Sequence, residues 1–446
     1  MNRTLSRAGI GLALGALLLI AGGFGLGRSR SSNQEPADPA VAIAQAEQTF
    51  VRTSGASLDD LILSLQDRLA LTPDDYVSWA TLGIAYVQQA KITVDPGFYP
   101  RAEGALERSI EINEADNFLG YAGLSALASA RHDFEAAKGY AEQGLEINAY
   151  SAILYGALSD AEIQLGNYDA GFIAVQRMID LSPDTSSLAR ASYTWELRGN
   201  LAEATRLMER ARDDAPNGSD RAFALFYLGE LAFNAGNPGT ALGLYNAALA
   251  ASPNEAAPLA GKAKAEAALG QFQTAIDHYA ELVQRAPDPT YLIEYGELLE
   301  SLGRQDEAQA QYDVVKVTQQ LFEAAGVAPD ATTTLFDAVH GEPERALAED
   351  ELGIATRPFL VMYDAYGWAL HEVGRDVEAL EALEQAMQLG TPSALFHYHA
   401  GMIKLALGDE PGAVQELTTA LEINPYFNPL AAPIARATLD SLTVPA

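Results

Sequence analysis

Histidines and paired carboxylates are the side chains of this sequence that could bind a metal ion or transfer protons. The chain has 446 residues, with six histidines and no cysteine, so a metal site would need imidazole and carboxylate ligands. His397 and His399 form the only histidine cluster. Because residues two apart on a helix point to different faces, they do not make a ready metal site, and His397 is predicted to pack in a core.

The acid pairs are predicted to have structural roles. Adjacent acids occur at predicted helix starts and turns, where they cap amides or favour the positive helix end, as in Asp59-Asp60, Asp74-Asp75 and Asp213-Asp214. A catalytic dyad would require the fold to bring two distant acids together. The sequence has no P-loop, no G-x-S-x-G elbow and no H-E-x-x-H motif. We therefore expect no enzyme activity, no cofactor and no metal.

The composition is that of a folded and strongly acidic protein. Hydrophobic residues make up 48% of the chain, so it must bury a large core. Sixty Asp and Glu against 28 Lys and Arg give a formal net charge of -32, and such a surface repels phosphate backbones. Nucleic acid is therefore not an expected partner, and the lack of cysteine excludes a disulfide framework.

The first 27 residues are predicted to form a signal anchor. Residues 8–27 carry no charged side chain, and twenty helical residues cover roughly 30 Å, the thickness of a bilayer core. Arginines flank the segment on both sides, and small cleavage residues are lacking where Arg28 and Arg30 stand. We favour an uncleaved single-pass anchor with the bulk of the chain extracytoplasmic. A cleaved and secreted form is the alternative, and residues 28–57 are predicted to be a flexible linker.

The rest of the chain repeats with a period of about 34 residues. In the clearest unit, residues 222–253, Leu225, Leu228 and Gly229 share one predicted helix, Gly236 breaks it, and a second helix follows. The spacings of three and four residues indicate two amphipathic helices in an antiparallel hairpin. Small residues such as Gly229 allow the two helices to approach closely.

This unit resembles the tetratricopeptide repeat, with leucine-glycine, a glycine turn, alanine, tyrosine, alanine and proline at fixed offsets. The resemblance implies an all-α fold, a right-handed α-solenoid of about ten helix hairpins over residues 58–446. Capping helices are predicted near residues 58–70 and 430–442. Segments such as 99–113 and 397–433 resemble a bacterial family of long, membrane-anchored tetratricopeptide repeat proteins without an established activity.

The resemblance also implies a concave groove lined by the first helix of each repeat. The groove positions are apolar or aromatic with acidic insertions, and Lys264 is the only lysine among them. The predicted groove residues are Ile84, Val87, Tyr193, Phe223, Phe226, Glu230, Phe233, Glu297, Trp368, Tyr398 and Met402. Such a surface suits a protein or peptide with apolar anchors and basic flanks. Alternatively, a tightly wound solenoid buries this face against itself. Residues 91–100 lengthen the first hairpin turn, and such insertions often lie on the binding face.

Together these features predict a non-enzymatic, membrane-anchored scaffold that mediates protein–protein interactions. The alternative is an envelope assembly or maturation factor, chaperone-like, for a secreted or membrane complex. That role uses the same fold and differs only in the partner. A hydrolase is the least favoured interpretation, because it would need a polar pocket with converging carboxylates.

Overall fold

The computed structural model describes residues 55–443, and in that span the fold is all-α. These residues form 22 α-helices and one short 3-10 turn, and no strand occurs among them. Within the same residues, no helix combines the length and the apolar character needed to cross a bilayer. The predicted anchor, residues 1–27, and nearly all of the predicted linker lie outside the described residues.

Twenty of the helices pair into ten hairpins, the number that the repeat pattern predicts. A single helix precedes them, α1 (Gly55–Leu71), and one follows them, α22 (Ala431–Thr443), at the predicted capping positions. The hairpins are α2–α3 (Tyr76–Thr93, Tyr99–Ile112), α4–α5 (Phe118–Ala130, Phe134–Ile147), α6–α7 (Ala152–Gln164, Tyr168–Leu181), α8–α9 (Thr185–Leu197, Leu201–Asp213), α10–α11 (Gly218–Asn234, Pro238–Ala251), α12–α13 (Ala256–Ala268, Phe272–Arg285), α14–α15 (Pro289–Ser301, Gln305–Ala324), α16–α17 (Ala331–His340, Pro343–Thr356), α18–α19 (Leu360–Glu372, Asp376–Ala386) and α20–α21 (Ala394–Ala406, Glu410–Ile423).

Small residues set the close packing of neighbouring hairpins. Gly229 on α10 and Gly261 on α12 lie on opposite sides of the Tyr245 ring on α11. A Cβ added at either glycine would stand only 2.4 or 2.5 Å from that ring. The buried Tyr245 ring therefore occupies a space that is available because Gly229 and Gly261 have no side chain.

The solenoid winds back onto itself, so that a second coil packs against the first. We define the first coil as α2–α11 and the second coil as α16–α22, residues 331–443. The backbone N–H of Leu360 donates to Tyr168 Oη at 3.0 Å, across 192 residues of sequence. The Thr391 hydroxyl donates to the Leu197 carbonyl at 2.6 Å, across 194 residues.

The neighbouring repeats on either side continue this ladder of contacts. The Asn424 side-chain amide donates to the Phe233 carbonyl at 2.9 Å, across 191 residues. At the other end, His132 Nδ1 lies 2.8 Å from the Ala328 carbonyl oxygen, across 196 residues. Four successive repeats of the first coil therefore each contact a segment that lies 191 to 196 residues later in the sequence.

Turn glycines allow this contact. Gly199 ends its hairpin turn with φ of +74°, and a Cβ there would stand 2.7 Å from the carbonyl oxygen of Gly390 in the second coil. Gly166 has the same φ and would place a Cβ 2.8 Å from the Pro358 carbonyl oxygen. Glycine thus meets two demands at these positions: a left-handed backbone and an approach closer than any side chain permits.

Candidate functional site

The inner helices of successive repeats line a cavity of about 690 Å³, called the chamber below. Its walls come from the first helices of several repeats, above all α8, α10, α12 and α14. The end of α2 supplies Lys91 and Ile92 to the wall, the turn that follows supplies Val94, and the start of α3 supplies Tyr99. The insertion predicted at residues 91–100 therefore lies at the chamber, on the side where such insertions are expected.

Aromatic rings cover much of the chamber wall. Phe223, Phe226 and Tyr227 share one face of α10 because they are three and four residues apart. The Phe223 and Tyr227 ring centroids are 4.7 Å apart, and those of Phe226 and Tyr227 are 5.0 Å apart. Tyr193 from α8 and Tyr291 from α14 extend this surface. The Tyr193 hydroxyl oxygen is buried and has no hydrogen-bond partner among the described residues.

A lysine on α12 binds the central carboxylate of the chamber. The Lys264 ammonium lies 2.8 Å from Glu230 Oε2, and the Tyr245 hydroxyl donates to the other Glu230 oxygen. The same ammonium lies 4.9 Å from the centroid of the Phe233 ring. On the far side, the Tyr279 hydroxyl donates to Glu294 at 3.1 Å. Glu230 with Lys264 and Tyr245, and Glu294 with Tyr279, thus form two hydrogen-bonded groups. The charges of Lys264 and Glu294 couple them into one polar network.

Burial shifts the protonation of this network. Burial, together with the nearby charge of Glu230, raises the pKa of Glu196 to about 7, although a hydrogen bond from Asn234 opposes the shift. Burial also raises the pKa of Glu294, against the opposing charge of Lys264. Burial alone would lower the pKa of Lys264, but Glu230 and Glu294 outweigh it and the pKa is raised. Lysine 264 is therefore charged at neutral pH, whereas Glu196 is only partly ionised.

The chamber is strongly acidic as a whole. Its lining includes two lysines, Lys91 and Lys264, against eight carboxylates: Glu196, Glu230, Glu255, Asp288, Glu294, Glu323, Asp330 and Glu349. Several of these acids also fix the backbone, as Asp288 does by accepting a hydrogen bond from the Thr290 N–H at the start of α14. The potential in the chamber therefore favours positively charged groups.

A narrow cavity of about 50 Å³ lies beside the chamber. Glu196, Lys264 and Glu294 line both spaces, so these side chains stand between them. The opposite wall comes from the second coil, with Thr391 and Asn424. The second coil thus closes the deep end of the chamber region, and the narrow cavity has room for little more than water.

The structure places five of the eleven predicted groove residues at the chamber: Val87, Tyr193, Phe223, Phe226 and Glu230. They come from α2, α8 and α10, the first helices of three different repeats, and they all line the same cavity. Their role in binding stays a prediction.

The other six predicted groove residues lie elsewhere. Ile84 is fully buried in the core of the first repeats, and Phe233 is buried beneath Lys264. Glu297 is buried and accepts a hydrogen bond from the Asn428 side chain at 2.8 Å. In the second coil Trp368 and Tyr398 are buried with ring centroids 5.7 Å apart, and Met402 packs against the same core. These residues fit the alternative prediction, that the solenoid buries part of this face against itself.

The chamber also contains residues that the groove prediction did not include. Tyr291 and Glu294 line it from α14, and Tyr227 lies between two predicted rings on α10. They occupy positions of the first helices other than the predicted ones, as Tyr227 does directly after Phe226. An acid-aromatic pair three residues apart, as in Tyr291 and Glu294, was the available signal, because both residues share one helix face.

Comparison with protein families finds the repeat in part of this chain. Residues 196–256 and 261–320 match the model of the tetratricopeptide repeat family. No match is found among curated proteins. Among solved structures, a tetratricopeptide repeat protein from Parabacteroides merdae is 18% identical, with 58% of this chain and 99% of that chain covered and a TM-score of 0.34.

Two further solved structures are similar over different lengths. In the structure of the APC/C hetero-tetramer Cut9–Hcn1, the matched chain is 14% identical, with 90% of this chain and 84% of that chain covered and a TM-score of 0.44. Pseudomonas aeruginosa pilF is also 14% identical, with 48% of this chain and 94% of that chain covered and a TM-score of 0.36.

Proposed function

We propose that this tetratricopeptide repeat protein is a scaffold that holds a protein partner by a peptide segment seated in the chamber. The observation that carries the proposal is a cavity of about 690 Å³ with an aromatic wall, formed by the inner helices of several repeats. Pockets of roughly 300–1,000 Å³ bury most of the surface of a small ligand, so the chamber has room for a short stretch of peptide. Aromatic rings held on rigid helices supply large contact area at little cost in conformational entropy.

The chamber is suited to binding rather than to chemistry. Its central acid, Glu230, is held by Lys264 and Tyr245, and Glu294 is held by Tyr279. Among residues 55–443, no three His, Asp or Glu side chains converge as ligands for a metal. Because Glu230 and Glu294 are already engaged by neighbouring side chains, we propose a non-enzymatic role, either as a general interaction scaffold or as an assembly or maturation factor for an envelope complex.

We also propose that residues 8–27 anchor the right-handed solenoid to a membrane, with residues 58–446 on the extracytoplasmic side. The support is the uncharged stretch of twenty residues flanked by arginines. Protease added to intact spheroplasts should then digest the solenoid while the anchor stays in the membrane fraction. Protection of the solenoid would place it in the cytoplasm, and recovery of a soluble chain would favour the cleaved form.

A peptide-display experiment tests the chamber as the binding site. The full chain, purified in detergent and immobilised, is used to select from a displayed library of twelve-residue peptides, and selected peptides are measured by fluorescence anisotropy. Phe226→Asp places a charge in the aromatic wall and should weaken binding at least about 30-fold, the effect of a hot-spot loss of roughly 2 kcal/mol or more.

The matched control is Phe272→Asp, which changes a phenylalanine of α13 that is 44% exposed and does not line the chamber. It should leave binding unchanged. Circular dichroism must show both variants folded, because Phe226 is partly buried against Tyr227 and Tyr245. A folded Phe226→Asp chain that binds as well as the parent would remove the chamber as the site, and a selection without enrichment would overturn the proposed function.

A further inference from the structure

We infer that the chamber recognises one basic side chain of the partner segment, a lysine or arginine that inserts beside Glu196 and Glu294 against the aromatic wall. The inference rests on the proposed function, which requires only that a peptide segment enters the chamber. The inference adds which side chain of the segment the chamber recognises. Apolar anchors with basic flanks were expected from the sequence; here the basic group itself occupies the interior.

Charge complementarity is the first argument. The chamber lining holds eight carboxylates and two lysines. One of these lysines, Lys264, is already engaged by Glu230 at 2.8 Å. A segment carrying an acidic side chain would have to bring a further negative charge into this poorly solvated space, which is unfavourable. A basic side chain is attracted by the same field.

Lys264 provides a precedent for how the wall holds a cation. Its ammonium is bound by a carboxylate, Glu230, and lies 4.9 Å from the centre of the Phe233 ring. A cation within about 6 Å of a ring centroid is attracted by the ring quadrupole. The exposed part of the wall offers the same two elements side by side, with Glu196 next to Tyr193 on α8 and Glu294 next to Tyr291 on α14.

The Tyr193 side chain is the second argument. Its hydroxyl oxygen is buried without a hydrogen-bond partner among the described residues, and buried polar atoms are normally paired. Tyr193 and Glu196 are three residues apart on α8 and share a face. An ammonium or guanidinium group beside them donates several hydrogen bonds, so it can satisfy the Tyr193 oxygen and the Glu196 carboxylate together.

The protonation of Glu196 gives the interaction a pH signature. The groups that face it include Tyr193 on its own helix, Glu230 and Asn234 on α10, Lys264 on α12, Glu294 on α14, and the uncharged Thr391, Ser393 and Asn424 of the second coil. Burial and Glu230 hold the pKa of Glu196 at about 7. A bound cation favours the carboxylate, so binding releases a proton from Glu196 and strengthens as the pH rises through 7.

The test starts from peptides selected on the full chain in detergent. The peptides that are measured lack histidine and carry an acetylated N-terminus, so that they do not titrate between pH 6 and 8. We expect the selected peptides to share one lysine or arginine between apolar residues. Replacing that residue by norleucine removes the charge and keeps the aliphatic chain, and it should weaken binding about 20-fold or more, as loss of a buried charge-assisted contact does. The parent peptide should bind about tenfold more weakly at pH 6 than at pH 8.

Glu196→Gln is the decisive variant. It should lose most of the preference for lysine over norleucine, and its binding should not change between pH 6 and pH 8. The variant is expected to fold, because the chamber already accommodates the neutral acid at this position. Glu107→Gln, at an exposed position of α3, is the matched control and should keep both effects.

The outcomes separate this inference from the proposed function. Selected peptides that tolerate norleucine, or that carry acidic residues instead, would overturn the basic side chain while peptide binding in the chamber stands. An unchanged lysine preference in folded Glu196→Gln would overturn the placement beside Glu196. If selection on the chain enriches no peptide, the proposed function fails and this inference fails with it.

Discussion

Replacing Gly199 by alanine should destabilise the protein far more than the same change at Gly303. Both glycines end a hairpin turn with nearly the same left-handed φ, +74° and +75°, so both variants incur a backbone cost of about 1–2 kcal/mol. At Gly199 the new Cβ would also stand 2.7 Å from the Gly390 carbonyl oxygen, whereas Gly303 has open space around it. The clash between coils should add about 1–3 kcal/mol, the range for overpacking.

Hydrogen–deuterium exchange shows where the added cost falls. In Gly199→Ala the loop around Thr391, which donates to the Leu197 carbonyl, should exchange faster although it lies 194 residues away in sequence. In Gly303→Ala, faster exchange should stay confined to the α14–α15 turn. Equal loss of stability in the two variants, with no change near Thr391, would mean that the coils do not contact each other in solution. Exchange is the better readout here, because repeat proteins often depart from two-state unfolding.

The hairpins could be predicted from sequence because their packing is local. Each repeat needs small residues where its two helices cross and a glycine where the chain turns, and these signals lie within about 34 residues. Gly229 and Gly261, on either side of the Tyr245 ring, show why the pattern is strict. Ten hairpins and two capping helices follow from such signals alone.

The contact between coils could not be predicted in the same way. Gly199 and Gly303 occupy the same place in their repeats and have the same backbone conformation, yet only Gly199 meets the second coil. The contact between the two coils depends on the sum of the small rotations between successive hairpins. No single repeat encodes that sum, so the sequence alone does not distinguish a turn that faces solvent from one that faces another coil.

Because the sequence does not show which repeats contact another coil, it also does not show which of the predicted groove residues are buried. Phe226 and Trp368 were both assigned to the concave face from their positions within a repeat. Phe226 belongs to the first coil and lines the chamber, whereas Trp368 belongs to the second coil and is 1% exposed. Position within a repeat predicts which way a side chain points. It does not predict whether another part of the chain fills that space.

Lys264→Met should cost about 2–4 kcal/mol of stability at pH 8, because breaking a mostly buried ion pair leaves an uncompensated charge. Lysine 264 is the cation that neutralises Glu230, and their side chains are 17% and 11% exposed. Methionine keeps the aliphatic length but leaves the charges of Glu230 and Glu294 unbalanced. Urea denaturation followed by circular dichroism, at pH 8 and at pH 5, measures the loss.

The pH dependence of that loss follows from the sign of the linkage. Burial raises the pKa of Glu294 in the folded protein, and the charge of Lys264 opposes that shift. Without Lys264 the folded state holds a proton that the unfolded state lacks over a wider pH range, so stability falls as the pH rises. The deficit of Lys264→Met should therefore be smaller at pH 5 than at pH 8, and adding Glu230→Gln should recover much of it at pH 8. Lys316→Met, at an exposed lysine of α15, is the matched control and should change little. A deficit that is the same at both pH values would show that Lys264 acts through the packing of its aliphatic chain, and the chamber would then lack the buried carboxylate field on which selection of a basic partner depends.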